Sequence, residues 1–178
     1  MERVIIPIER TLFLLGRENK TKRSIEAKAK AGLVVIDGEV TIDGEDAFLV
    51  YRCSQVVKAI GRGFAPFKAM NLFDSDFYLK VYNIKDFSGK SKNRMGEIKG
   101  RLIGRNGKAR KYIESSTGCF ISIYGHTVSI IGKYPSIGSA ERAVEMLLEG
   151  SEHSAAYRFL RGEKIRALRN ELFGESFK

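Results

Sequence analysis

The chain has no tryptophan, three prolines, two cysteines, two histidines and one glutamine among 178 residues, and each shortage closes off a class of protein. Two cysteines are too few for a disulfide framework or a metal site. Cys53 and Cys119 both sit in apolar stretches and read as buried thiols. No uninterrupted apolar run exceeds five residues, at 47–51, far short of the roughly 20 that cross a bilayer. The opening MERVIIPIER carries acids on both sides of a short apolar stretch, unlike a secretory or organellar leader. A cytoplasmic location with no membrane partner is the expectation. Catalytic sets are equally scarce. His126 falls in a predicted turn, His153 near a tail helix, and Asp74, Asp76 and Asp86 are a loose acidic set. A two-metal nuclease needs tighter convergence, so neither an enzyme nor a cofactor is expected.

What the chain has is positive charge, unevenly spread. The net charge is +10. Residues 1–74 hold 12 Lys and Arg against 10 Asp and Glu, and residues 75–178 hold 19 against 11. Between Lys80 and Lys111 there are 11 basic and 2 acidic residues. Charge concentrated this way reads as a polyanion-binding footprint rather than a solubility device. The lone glutamine, with abundant Lys and Glu, matches a thermophilic trend.

The chain also repeats. Residues 14–26, LLGRENKTKRSIE, match residues 102–114, LIGRNGKARKYIE, at six of thirteen positions and an offset of 88. The offset returns at Val40/Val128, Thr41/Ser129, Ile42/Ile130 and Gly44/Gly132. One unit has been used twice, and two copies of about 75 residues are each near the lower size limit for a self-sufficient core, so they are expected to share an interface.

In the second copy, alternation predicts a strand through Phe77, Leu79, Val81 and Tyr82. A basic connector (88–94), a short helix (95–103), the loop GRNG and a helix (108–117) stopped by Gly118 follow. Strands at 119–124 and 127–131 flank a Gly125-His126 turn, and Ser136 or Ser139 caps a helix that buries Ala140, Ala143, Val144, Leu147 and Leu148. The first copy repeats the order: a strand through Val4, Ile6 and Ile8, a helix at 10–15, the loop GREN and a helix at 20–31. Strands at 33–36 and 39–42 then join at Asp37-Gly38, before a closing helix at 47–60 with Leu49, Val56, Val57 and Ile60 inward. A short helix at 66–73 links the copies. Two tail helices, 154–160 and 163–172, end the chain, the second amphipathic through Ile165, Leu168, Leu172 and Phe173.

The copies differ at the loop: Gly104-Arg105-Asn106-Gly107 in the second, Gly16-Arg17-Glu18-Asn19 in the first. A Gly-x-x-Gly turn between helices sets backbone N–H groups at a helix N-terminus and lets a nucleic-acid backbone approach closely. Arg105 brings charge to the tip, with Asn106 beside it and Arg101, Lys108, Arg110 and Lys111 around it. Bases would be read in an apolar groove between Ile103 and the strand that carries Ser122. Glu18 in the first loop repels phosphate, so that copy is expected to have lost the grip and to pack on its sister or recruit a protein.

The string LIGRNGKARKYIE followed by TGCFISI resembles the core of the KH domain family, and the loop's position before both hairpin strands is similar to the type I topology. The strings KAIGRGFAPFKAMNLFDSDFYLKVYNIKDF and RLIGRNGKARKYIESSTGCFISIYGHTVSIIGKY resemble the partner-of-Nob-one family, in its archaeal form. This resemblance implies an α+β chain of two tandem type I KH-like domains (β-α-α-β-β-α), each a three-stranded antiparallel sheet packed on helices. Residues 1–74 would hold the degenerate copy and 75–178 the intact one, with Gly104, Arg105, Asn106, Gly107, Lys108, Arg101, Arg110, Lys111, Ile103 and Ser122 as the RNA-binding set. It implies an adaptor for small-subunit ribosomal RNA near its 3′ end, working with the Nob-one nuclease, the dimethyladenosine transferase and translation initiation factor two alpha. Arg110 stands where many KH domains carry an aliphatic residue, which favours phosphate contact over base reading. A general RNA- or single-stranded DNA-binding protein and a protein scaffold are the alternatives.

Overall fold

A computed structural model of the chain describes residues 1–89 and 91–173; the side chain of Phe173 lies outside the described residues. The first unit runs β1 (Glu2–Ile5), α1 (Ile8–Leu15), α2 (Lys20–Ala29), β2 (Gly32–Ile36), β3 (Glu39–Asp43) and α3 (Ala47–Gly61). A link of α4 (Pro66–Ala69) and a 3-10 turn (Met70–Phe73) leads to the second unit. That unit runs β4 (Phe77–Asn83), α5 (Lys85–Ser88), α6 (Lys92–Ile103), α7 (Lys108–Thr117), β5 (Phe120–Tyr124), β6 (Thr127–Lys133), α8 (Ser136–Glu149) and α9 (His153–Phe173). Two antiparallel sheets result, ordered β1-β3-β2 and β4-β6-β5. The repeat extends to register: Val40 pairs with Val35 across β2–β3, and Val128 pairs with Ile123 across β5–β6.

Each sheet buries one face under its own helices. Leu33, Val40 and Ile42 pack under Ile25 of α2 and Val50, Cys53, Val57 and Ile60 of α3. Ile121, Val128 and Ile130 pack under Ile98, Leu102, Ile113 and the inward row of α8. Both cysteines are buried, as expected.

The far faces part company. In the first sheet that face is open, with Ile5, Val34 and Ile36 exposed. In the second it lies on the first unit, where Ile131 joins the first unit's core and Phe77, Leu79 and Phe120 pack against it. Residues Thr127 to Gly132 of β6 are therefore buried on both sides, which is why their sequence does not alternate cleanly.

Polar contacts tie α1 to α3 within the first unit and join the two units to each other. Arg10 of α1 is buried; its Nε donates to the Ile60 carbonyl at 2.8 Å and an Nη to the Phe64 carbonyl at 2.7 Å. Its guanidinium sits 4.0 Å from the centre of the Phe13 ring, close enough for cation–π attraction. From the second unit, Tyr124 Oη donates to Glu9 at 2.6 Å and Ser122 Oγ to the Arg62 carbonyl at 2.8 Å. Gly63 leaves no room for a Cβ against Ser122 and Tyr124.

Several boundaries depart from the sequence-based expectation. Ile8 opens α1 and is exposed rather than closing a strand, because Pro7, the extended N-cap of α1 (φ −57°, ψ 138°), has no N–H to continue the strand pairing. The expected tail pair is one helix, α9, running through Gly162, since one glycine weakens a helix without ending it. Neither Ser136 nor Ser139 caps α8, which starts after Pro135 without a side-chain cap. The one-turn α5 was not anticipated. No helix among the described residues is long and apolar enough to cross a membrane.

Candidate nucleic-acid interface

The two loops share one backbone shape despite their different residues. Gly104 ends α6 at φ +73°, ψ 170°, Asn106 turns left-handed (φ 54°, ψ 30°), and Gly107 follows at φ +74°, ψ 13°. In the first unit Gly16, Glu18 and Asn19 adopt (70°, 178°), (53°, 34°) and (58°, 21°). The two glycines of the motif do different jobs. A Cβ on Gly104 would lie 2.7 Å from the backbone N and Cβ of Ala109, so the first glycine is demanded by packing against α7. A Cβ on Gly107 would meet nothing closer than Lys111 Cε at 3.9 Å, and Asn19 holds the matching conformation in the sister loop. The second glycine is thus not needed to make the turn; what it provides is a bare approach to the backbone.

Neither α2 nor α7 has a side-chain cap at its N-terminus, which leaves first-turn N–H groups for an anion. At α7 the surrounding side chains suit that use. Arg105, Asn106, Lys108 and Lys111 are exposed around the turn, and Ile103 is 40% exposed beside it. The first loop instead presents Glu18, whose carboxylate reaches Lys20 at 3.5 Å with both groups open to solvent.

Three residues of the expected set stand apart from this tip. Arg101 is half-buried: its guanidinium donates to the Leu147 carbonyl in the last turn of α8 at 3.0 Å, and its own carbonyl accepts from His153 Nε2 at 2.7 Å. Its charge offsets the negative end of the α8 dipole, so Arg101 tethers helices. Ser122 is a correction of the same kind, since strand alternation turns its side chain to the far face of the sheet, where the Arg62 carbonyl holds it. Arg110 lies beside Glu114, Nε to Oε2 at 3.6 Å, with no hydrogen bond from that Nε.

Glu114 itself escaped the sequence reading. Its Oε1 accepts the Ile121 N–H of the β5 edge at 2.9 Å, and at the repeat offset Glu26 accepts the Leu33 N–H of β2 at 2.8 Å. The match of Glu26 with Glu114 inside the repeat was the available signal. With a carboxylate on the strand edge, at least that N–H of the groove wall is unavailable for reading a base.

Elsewhere, no three His, Cys, Asp or Glu side chains converge as a metal site among the described residues. Asp74 and Asp76 both contact Lys133 Nζ at 3.3 Å. The Asp76 N–H, then Lys133, holds the Asp74 carboxyl below its ordinary range.

Comparison with known proteins agrees with this geometry. The family described as Eukaryotic type KH-domain (KH-domain type I) matches residues 78–165. A KH domain-containing protein of Methanocaldococcus jannaschii is 41% identical over 175 residues, covering 94% of this chain and 77% of that protein. The RNA-binding protein pno-1 of Caenorhabditis elegans is 27% identical over 89% of this chain; the chain spans 54% of that relative's length. Among solved structures, a chain of the a/eIF2alpha-aDim2p-rRNA complex from Pyrococcus horikoshii OT3 superposes with a TM-score of 0.86 at 37% identity, covering 93% of this chain and 94% of that one. Two like-registered sheets, an intact Gly-x-x-Gly turn in the second unit and similarity over nearly all of this chain to the archaeal proteins lead to one assignment: the chain belongs to the partner-of-Nob-one family of tandem KH-domain proteins, the family of archaeal Dim2p.

Proposed function

We propose that this chain is a single-stranded RNA-binding adaptor of small ribosomal subunit assembly. It grips ribosomal RNA through the Gly104–Gly107 turn and the cations Arg105, Lys108 and Lys111, with Arg110 and Ile103 at its margin. The division of labour falls near residue 75: residues 1–74 hold a KH-like unit that has given up RNA, and residues 75–178 hold the grip. The observation that carries the reading is the pair of loops. The same turn is built twice, once with a bare glycine and a cationic tip, once with Asn19 and the carboxylate of Glu18. The similar Pyrococcus Dim2p has been crystallised with rRNA and a/eIF2alpha, which supports ribosomal RNA as the ligand and an initiation-factor subunit as one partner here. The Nob-one nuclease and the dimethyladenosine transferase are further partners implied by family resemblance. The protein works in the cytoplasm and cuts nothing itself.

Replacing Arg105 and Asn106 with Asp tests this. Both side chains are exposed, so the double variant folds as the wild type does and loses most of its affinity for single-stranded ribosomal RNA. Losing the one Arg–phosphate contact lowers the log–log salt slope by about one unit. A folded variant that binds like wild type overturns the assignment. So does cleavage of the RNA by the pure protein with divalent metal.

A further inference from the structure

The apolar stripe of α9 changes sides partway along the helix. In the first half, Ala156 and Leu160 are buried in the core of the second unit. Past Gly162 that same side carries Glu163, Lys164, Ala167 and Asn170, which line an open cleft beside Ser116 and Ser139. The large apolar residues recur elsewhere. Ile165, Leu168 and Leu172 stand roughly 130° round the helix from Ala156 and Leu160, and are 60%, 48% and 72% exposed. Packing within the chain accounts for none of the three. We propose that this face pairs with the same face of a second copy of the chain, the two helices lying antiparallel. The inference is independent of the RNA-binding reading above.

The spacing suits a helix pair. Arg161, Ile165, Leu168 and Leu172 follow at intervals of four, three and four residues, the alternation of a coiled-coil seam. In an antiparallel pair about a two-fold axis, contacts are reciprocal. Ile165 packs on Leu168 of the second copy. Leu172 packs on the stem of that copy's Arg161, whose guanidinium stays in water.

The flanking charges select the partner and the direction. Lys164 and Glu171 lie on one side of the seam, seven residues and about 10 Å apart, too far to reach each other. Antiparallel pairing sets Lys164 opposite Glu171 of the second copy and Glu171 opposite its Lys164. On the other side Arg169 meets Gly162, which brings neither a like charge nor a side chain. A parallel pair would instead oppose Lys164 to Arg169 across the seam. A polyanion or an anionic membrane would meet the carboxylate of Glu171. A second, antiparallel copy satisfies both signs of charge.

Two heptads bury less than the roughly 1,200 Å² of a stable interface, so the pair is weak and reversible. Since α9 is helical before the chains meet, no helix nucleation opposes it. The dissociation constant expected is on the order of 0.1 mM.

Sedimentation velocity of the full-length protein without RNA, from about 10 µM to about 1 mM, tests the pairing. The wild type moves from monomer toward dimer across that range. L168D melts as the wild type does, because the position is exposed, and stays monomeric. K164E and E171K each turn two attractive contacts into two repulsive ones and weaken self-association about tenfold or more. Mixing K164E with E171K restores a one-to-one dimer, and so does K164E/E171K in a single chain. A wild type that stays monomeric to about 1 mM, variants that associate as the wild type does, or single variants that do not recover on mixing refute the pairing. Binding to RNA or to anionic vesicles that L168D abolishes, in a protein that remains monomeric, refutes it in favour of that partner.

Discussion

Arg10 is the buried charge that ties α1 to the C-terminal end of α3, and Arg10→Met isolates its contribution. The side chain is 7% exposed and spends its donors on two carbonyls near the C-terminus of α3, at 2.8 and 2.7 Å. Each charged hydrogen bond contributes about 1.5–3 kcal/mol net, and deleting the donor strands a buried acceptor. Loss of the positive group beside a helix C-terminus and of the stacking on Phe13 adds to the cost. Relief from burying a guanidinium offsets part of it, since desolvation pulls the Arg10 pKa down. Methionine fills most of the volume. The balance is about 3 kcal/mol lost. For a domain of this size, 1 kcal/mol moves the midpoint by about 2–4 °C, so the melting temperature drops by about 6–12 °C. Calorimetry of the full chain reads it directly. The sister position holds Ile98, an ordinary core residue. If Arg10 is merely another core filler, Arg10→Met is neutral, and a shift below about 2 °C would sink the argument.

Other expectations follow from the same contacts. Gly104→Ala forces a Cβ onto Ala109 at positive φ and costs about 2–4 kcal/mol, whereas Gly107→Asn copies the sister loop, leaves the melting temperature within about 2 °C and weakens RNA binding; parallel melts and binding titrations separate the two roles. Ser122→Ala removes an inter-unit hydrogen bond worth about 1 kcal/mol and leaves RNA affinity unchanged; a fall in affinity would return that side chain to the interface. Burial pushes the Cys53 thiol up to about 12 and raises Cys119 as well. Above the unfolded thiol value near 8.5 the unfolded state binds fewer protons than the native one, so these groups make stability fall as pH rises from there. Neither thiol should react with an alkylating reagent in the native protein at pH 8, and both should in denaturant.

The architecture was legible because the repeat supplied its own alignment: the order of elements, the Gly118 stop of α7 and the contrast between the loops all follow from residues compared at an offset of 88. What escaped was set by distant chain. Arg10 reads as a solvated helix charge until carbonyls 50 and 54 residues away enclose it. Arg101 reads as part of a basic patch until α8 ends beside it. Ser122 reads as groove lining until the first unit covers the sheet face it points to. Secondary structure and charge are local properties; which side of each residue meets a neighbour is settled by chain 46 to 60 residues away, within the unit for Arg10 and Arg101 and across units for Ser122, and this has no short-range signal.

The carboxylates of Glu26 and Glu114 bear on how such a chain avoids misassembly. A protein made of two look-alike units carries two interchangeable edge strands, β2 and β5, tethered at high local concentration. Such strands are templates for wrong pairing within one chain or between chains while the sheets are still forming. In both units the helix preceding the edge strand brings its own glutamate back to an outward N–H seven residues on. A strand that arrives by mistake must first displace a short-range, charged hydrogen bond. Duplication created the hazard, and the duplicated glutamate brought its remedy along in each copy.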